Sequence, residues 1–252
     1  MPTAVVPLYR LLENVAHACG ERPALAYRGV SLTFEQVGEQ MNRFASSLQQ
    51  ALAVDPGQCI ALHLPNCPQF LIAAHAAWKL GAAIVPLAPS AEAAQIVQQT
   101  TAAGAQVIVT LSPLVTTVLA AQPQTPLRHV IVAFVKDYLP FGARLRYALF
   151  REKKEGQAFD FRTASRFVYP YTNMVLHNPR PDPVEVEPAD PAAFFGGTGR
   201  AYTHGDLLAA IGPVSLAAVP TTFAATAPFW ELPGLVAALV ALYSGHTLLL
   251  PP

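Results

Sequence analysis

Residues 56–89 read PGQCIALHLPNCPQFLIAAHAAWKLGAAIVPLAP, and the alternation inside them decides the fold. After the Pro56-Gly57 turn comes a short run at 59–64, apolar except for His63. A longer stretch at 68–80 opens on a proline, and a second short apolar run follows at 82–87. Short continuous apolar runs are strands buried on both faces, whereas a longer stretch opening on proline is a helix. The same alternation continues outward as helix 92–103, strand 106–110, a helix near 114–121 and strand 129–133. Gly81 and Gly104 stand where those helices stop, as a left-handed cap requires. The expected fold class is α/β, with parallel β-sheets flanked by helices and right-handed crossovers.

Upstream, short strands at 24–27 and 30–32 flank Arg28-Gly29, a hairpin turn. Thr33 and Gln36 form a capping box. The helix that follows buries Phe34, Val37, Met41, Phe44, Leu48 and Leu52 at three- and four-residue spacing, to about Ala53. Downstream, residues 190–208 read DPAAFFGGTGRAYTHGDLL. An apolar strand at 192–195 enters Gly196, Gly197 and Gly199, and Thr203 then caps a helix beginning near His204. Strand, glycine loop and helix N-terminus in that order make an anion site, because backbone N–H groups and the helix dipole converge on it. A Gly-Gly-Thr-Gly run is also an ordinary tight turn. Further strands are expected at 214–219 and 247–250.

These stretches resemble the adenylate-forming (AMP-dependent) synthetase/ligase family, closest to its long-chain fatty acid–CoA ligase branch. The segments LTFEQV (32–37), 56–89 and GAQVIVT (104–110) match its N-terminal pattern almost position by position. Its glycine loop has the form Y-T-G-G-T-T-G-x-P-K-G and precedes an L-T-H-x-N-L helix start. Asp190, Gly196, Gly197, Thr198, Gly199, Thr203, His204 and Leu207 match that pattern. One threonine and the Pro-Lys-Gly are missing, so the loop is about five residues short and lacks the family's lysine. The closing stretch 227–252, APFWELPGLVAALVALYSGHTLLLPP, resembles an L-P-F-F-H-x-Y-G motif with Glu231 in place of the histidine and Pro233 in place of the tyrosine.

The resemblance implies the N-terminal part of the ligase fold, with the second sheet incomplete and the C-terminal ligase domain absent. The expected organisation is an α/β region at 1–135, a basic amphipathic segment and proline-rich connector at 136–189, and the degenerate loop with the start of the second sheet at 190–252. It also implies ATP-dependent carboxylate adenylation and transfer to CoA. The decayed loop makes this chain an expected inactive, truncated homologue, with no catalytic residue and no metal site. ATP with Mg2+ and CoA are expected only if the family function is retained. Gly196, Gly197, Thr198, Gly199 and Thr203 form the degenerate phosphate loop; Trp230, Glu231 and Gly234 border the acyl pocket. Two other readings are the N-terminal half of a split ligase, completed by a second chain, and a non-catalytic acyl- or partner-binding module.

Of the 252 residues, 52% are hydrophobic and 13% charged, with zero formal net charge. That suits a sizeable core and gives no electrostatic reason to bind nucleic acid. Cys19, Cys59 and Cys67, without a CxxC or a secretory N-terminus, are read as reduced thiols of a cytoplasmic protein. His63 and His75 have no carboxylate or thiol at triad spacing. The segment 136–156, with six basic and three acidic residues, suits a solvated helix better than peripheral membrane contact. Residues 157–188 read as a connector. The strands at 214–219 and 247–250 are apolar throughout, so an open edge and self-association of the chain are expected.

Overall fold

The computed structural model describes residues 6–139, 142, 144, 146, 159–162, 164–176, 180–196 and 200–251. Helix α1 (Leu8–Cys19) leads into a hairpin of β1 (Pro23–Tyr27) and β2 (Val30–Thr33). Arg28 and Gly29 turn it with φ of 48° and 82°, so both central residues are left-handed, which matches the twist of a two-residue hairpin. Helix α2 (Phe34–Leu52) starts on a capping box: Gln36 N donates to Thr33 Oγ1 at 3.2 Å, and Thr33 N donates to Gln36 Oε1 at 3.0 Å. Its stripe of Phe34, Val37, Met41, Phe44 and Leu48 is buried.

The decisive stretch folds as its periodicity requires. It supplies β3 (Cys59–His63), α3 (Pro68–Lys79) and β4 (Ala83–Leu87), followed by α4 (Ala93–Ala103), β5 (Val107–Leu111), α5 (Val115–Ala121) and β6 (His129–Ala133). Neighbouring strands run parallel, with Ile60 beside Ile84 and Val107, and Ile108 beside Val130. Both faces are covered, and this explains the unbroken apolar runs. Ile60 and Leu62 join the larger core with α1, α2 and α3, whereas Cys59 and Ala61 join the smaller core under α4 and α5. Helix α3 is buried at every residue from Pro68 to Trp78, so its apolar surface runs all the way round. Gly81 and Gly104 take φ of 68° and 64° at the helix ends.

Beyond β6 the structure departs from the expected layout. The stretch read as a connector contains β7 (Val168–Pro170) and α6 (Tyr171–Leu176), and β7 pairs with β6. Strand β8 (Pro191–Phe194) then lies beside β4, and an unanticipated β9 (Ala201–Thr203) returns antiparallel to it. The seven-stranded sheet is therefore ordered β7-β6-β5-β3-β4-β8-β9. Helix α7 (His204–Ile211) follows. The strand expected at 214–219 is not formed. The place beside β11 (Thr247–Leu249) is taken instead by β10 (Thr222–Ala224), and Pro213 and Pro220 bracket the irregular stretch. A four-stranded sheet, β10-β11-β1-β2, thus joins the N-terminal hairpin to residues 222–249, with Leu25 beside Leu248. Residues 190–252 are divided between the two sheets. Helix α8 (Leu232–Tyr243) packs over the second one. Of the amphipathic stretch 136–156, Val135–Tyr138 forms a 3-10 turn and most of the rest lies outside the described residues. Among the described residues no helix is long and apolar enough to cross a membrane.

Candidate functional site

Gly196 follows the first strand of a β-hairpin formed by β8 and β9. Ala192 and Ala193 are fully buried in β8, and Trp78 Nε1 donates to Ala192 O at 2.8 Å, which fixes the strand against α3. Gly196 leaves the strand with φ of 65°. Gly197, Thr198 and Gly199 lie outside the described residues. Strand β9 then comes back with Phe194 beside Ala201 and Pro191 beside Thr203, and Phe195 meets Tyr202 edge-on at 5.6 Å.

This pairing separates two parts that the sequence placed together. Thr203 and the start of α7 lie at the N-terminal end of β8, while Gly196 lies past its C-terminal end. Five residues at about 3.3 Å each put roughly 16 Å between them. The helix end is also occupied. Asp206 N donates to Thr203 Oγ1 at 3.0 Å, and Thr203 N donates to Asp206 Oδ2 at 3.0 Å. These bonds, the backbone N–H first, hold the exposed Asp206 carboxyl below its ordinary pKa, so the helix N-terminus already carries an anion. Arg200 lies over the Tyr202 ring at 5.3 Å.

Of the second group, Trp230 borders a cleft of about 740 Å³ where the end of β3 meets β10 and β11. Trp230 lines it with Asn66, Arg28 and Leu250. Glu231 is not among its lining residues; it is the exposed N-cap of α8. Gly234 shapes the loop from behind: a Cβ there would stand 2.0 Å from Pro228 O, so only glycine permits the close approach. Phe229 is fully buried against Phe70, ring centroids 5.5 Å apart.

Asn66 organises this loop, and the sequence reading passed over it. Its Nδ2 donates to Ala225 O at 3.1 Å and Ala227 O at 2.8 Å, and its Oδ1 accepts from Phe229 N at 2.9 Å. The signal was an asparagine between Pro65 and Cys67-Pro68 just past the carboxyl end of a central strand, where open α/β sheets place their ligands.

The buried ionisable groups are structural. His75 Nδ1 donates to Leu71 O at 2.7 Å, so Nε2 accepts from Tyr243 OH at 2.9 Å, tying α3 to α8. His63 Nδ1 meets Thr110 Oγ1 at 3.1 Å, and His204 Nδ1 accepts from Leu8 N at 3.4 Å. Burial pushes all three histidines down to about 4. The cysteines are free and buried, and burial raises the Cys59 and Cys67 thiols to about 11 and about 12, which leaves them unreactive. Among the described residues no three His, Cys, Asp or Glu side chains gather into a metal site.

Comparison with known proteins agrees with this architecture. Residues 12–252 match the family model described as AMP-binding enzyme. The chain is 30% identical over 138 residues to a long-chain-fatty-acid–CoA ligase of Yersinia pestis, which covers 55% of the chain and 25% of the relative. It is 27% identical over 160 residues to a ligase of the same name from Bacillus subtilis, which covers 64% and 28%. A solved structure of a putative long-chain-fatty-acid CoA ligase from Rhodopseudomonas palustris superposes with a TM-score of 0.75 at 17% identity, over 97% of this chain and 57% of that one. The matched part of the chain thus spans about a quarter of the length of these curated relatives.

Proposed function

Because the chain belongs to the AMP-binding enzyme family, we propose that it is a homologue of the long-chain fatty acyl-CoA ligases which binds an acyl group in the cleft beside Trp230 but does not adenylate it. The observation that carries this reading is the β8–β9 hairpin. Six residues, 195–200, join Phe194 to Ala201, and the one cation in that sequence is Arg200, beside Tyr202. Attack on a phosphate needs concentrated positive charge where negative charge develops. The helix end that could add to it stands at the other end of β8, filled by Asp206. These residues do not fit a triphosphate with its metal, so no step through ATP is assigned to them.

The cleft supports the acyl half of the reading. Pro65, Pro228, Trp230 and Leu250 give it apolar walls, and the Asn66 bonds hold one of those walls in place. The test is exchange of pyrophosphate into ATP on the purified chain with a panel of fatty acids. We expect no exchange above a no-protein control and no rise in Tm with ATP and Mg2+, since a ligand stabilises only as far as it binds. Binding of a long-chain fatty acid should persist and should weaken about tenfold in Trp230→Ala. Exchange above the control would overturn the loss of adenylation.

A further inference from the structure

A second cleft, of about 630 Å³, opens on the far side of the hairpin tip. Arg28 lines the first cleft and Gly29 the second, so the turn is a partition between them. The volume lies in the range of small-molecule pockets.

Its floor is chemically closed. Tyr138 OH donates to Gln40 Oε1 at 2.5 Å and lies 3.2 Å from Tyr171 OH. Asp137 Oδ2 accepts from Phe134 N at 2.8 Å. Burial keeps both phenols neutral and pushes the Asp137 carboxyl up to about 6. The wall is not closed. Arg43, projecting from α2, spends Nη2 on Glu39 at 3.2 Å, while its Nε is shut away from water with no acceptor among the described residues. A buried donor without an acceptor costs free energy, and Arg43 is one of the residues that line the cleft. Arg144 adds a second cation to the lining. Val175 and Leu176 of α6 also line it, and Leu176 is 67% exposed. Among the described residues the cleft therefore offers two cations and an uncovered apolar surface, with the Asp137 carboxyl, which feels the charge of Arg144, also in its lining.

We propose that this second cleft binds an amphiphilic anion, a single alkyl carboxylate or alkyl phosphate molecule, with its acidic head on Arg43 and its alkyl body against Val175 and Leu176. Arginine suits such a head because its planar fork presents donors to two oxygens together. The site is separate from the cleft beside Trp230 and stands whether or not that cleft takes an acyl group.

The experiment is photocrosslinking of the full chain with a diazirine-bearing decanoate, followed by mass spectrometry of the labelled peptides. Label should appear on the peptide containing Val175 and Leu176. It should fall about tenfold in Arg43→Gln and in Leu176→Asp, recover in Arg43→Lys, and be unchanged in Trp230→Ala. Both positions reach the surface, so circular dichroism and Tm of the variants should match the parent chain. The corresponding diazirine-bearing decanol should label at least tenfold less. Equal labelling by the neutral alcohol, no loss in either variant, or labelling of this peptide only when anionic vesicles are present would overturn the proposal, the last by showing a bilayer contact instead.

Discussion

Asn66 shows how one side chain can hold a site boundary together. It is buried, at 6% exposure, and its three hydrogen bonds all reach the loop at 225–229, which has little regular structure of its own. Replacing it by alanine strands two carbonyls and one N–H, and at about 1 kcal/mol or more for each unmet group the expected loss is about 2–4 kcal/mol. Asn66→Asp should cost a similar amount: it keeps the acceptor for Phe229 N but sets a carboxylate against two carbonyl oxygens. Urea unfolding checks both, and the Trp230 emission should shift red as the loop loosens. A midpoint unchanged in both variants would mean that the loop is held by the Phe229–Phe70 contact alone. The position of Asn66 past a central strand could be read from the sequence, but its bonds could not, because they join residues about 160 positions apart.

Among the elements, legibility followed coverage. Strands β3 to β6 read clearly because both of their faces are buried, and the helices between them read clearly because glycine ends two of them. Strands β7, β9 and β10 were missed. Each has three residues and stands at the edge of a sheet, so pairing with a single neighbour defines it and no apolar run marks it. The false strand at 214–219 shows the converse: an apolar run whose pairing place another segment fills. Its residues are left outside, with Leu216 47% and Val219 76% exposed, and Phe223 of β10 and Leu249 of β11 are 48% and 46% exposed. Exposed apolar side chains, one of them on the edge strand β10, invite association. We expect the chain to self-associate at tens of micromolar in sedimentation velocity, and Val219→Lys with Phe223→Lys to shift it towards monomer. A clean monomer of the unaltered chain would refute this.

At the scale of the molecule, pH acts on the core through His63, His75 and His204. Each is held neutral in the fold near pKa 4, against about 6.5 in an unfolded chain. Below pH 6.5 the unfolded chain takes up protons that the folded one refuses. The stabilisation is therefore present in full above that pH and is lost as pH falls towards 4, on the order of 3 kcal/mol for each histidine. Asp137 acts the other way, its raised pKa favouring the fold as pH falls through about 6, but it is one group against three. The urea midpoint should fall steadily from pH 7 to pH 5, and a flat or rising midpoint would show the histidines to be solvated. The pairing of Leu25 with Leu248 bears on how such a molecule is made. The strands at 59–133 can find each other soon after they leave the ribosome, since each partner is close in sequence. The N-terminal hairpin must wait for a neighbour more than 200 residues later, roughly 10–45 s at 5–20 residues per second. Until then β1 has no parallel neighbour, so of the described strands the first made is among the last to find its place, and a chaperone able to hold that hairpin would change the yield of the fold without altering its stability.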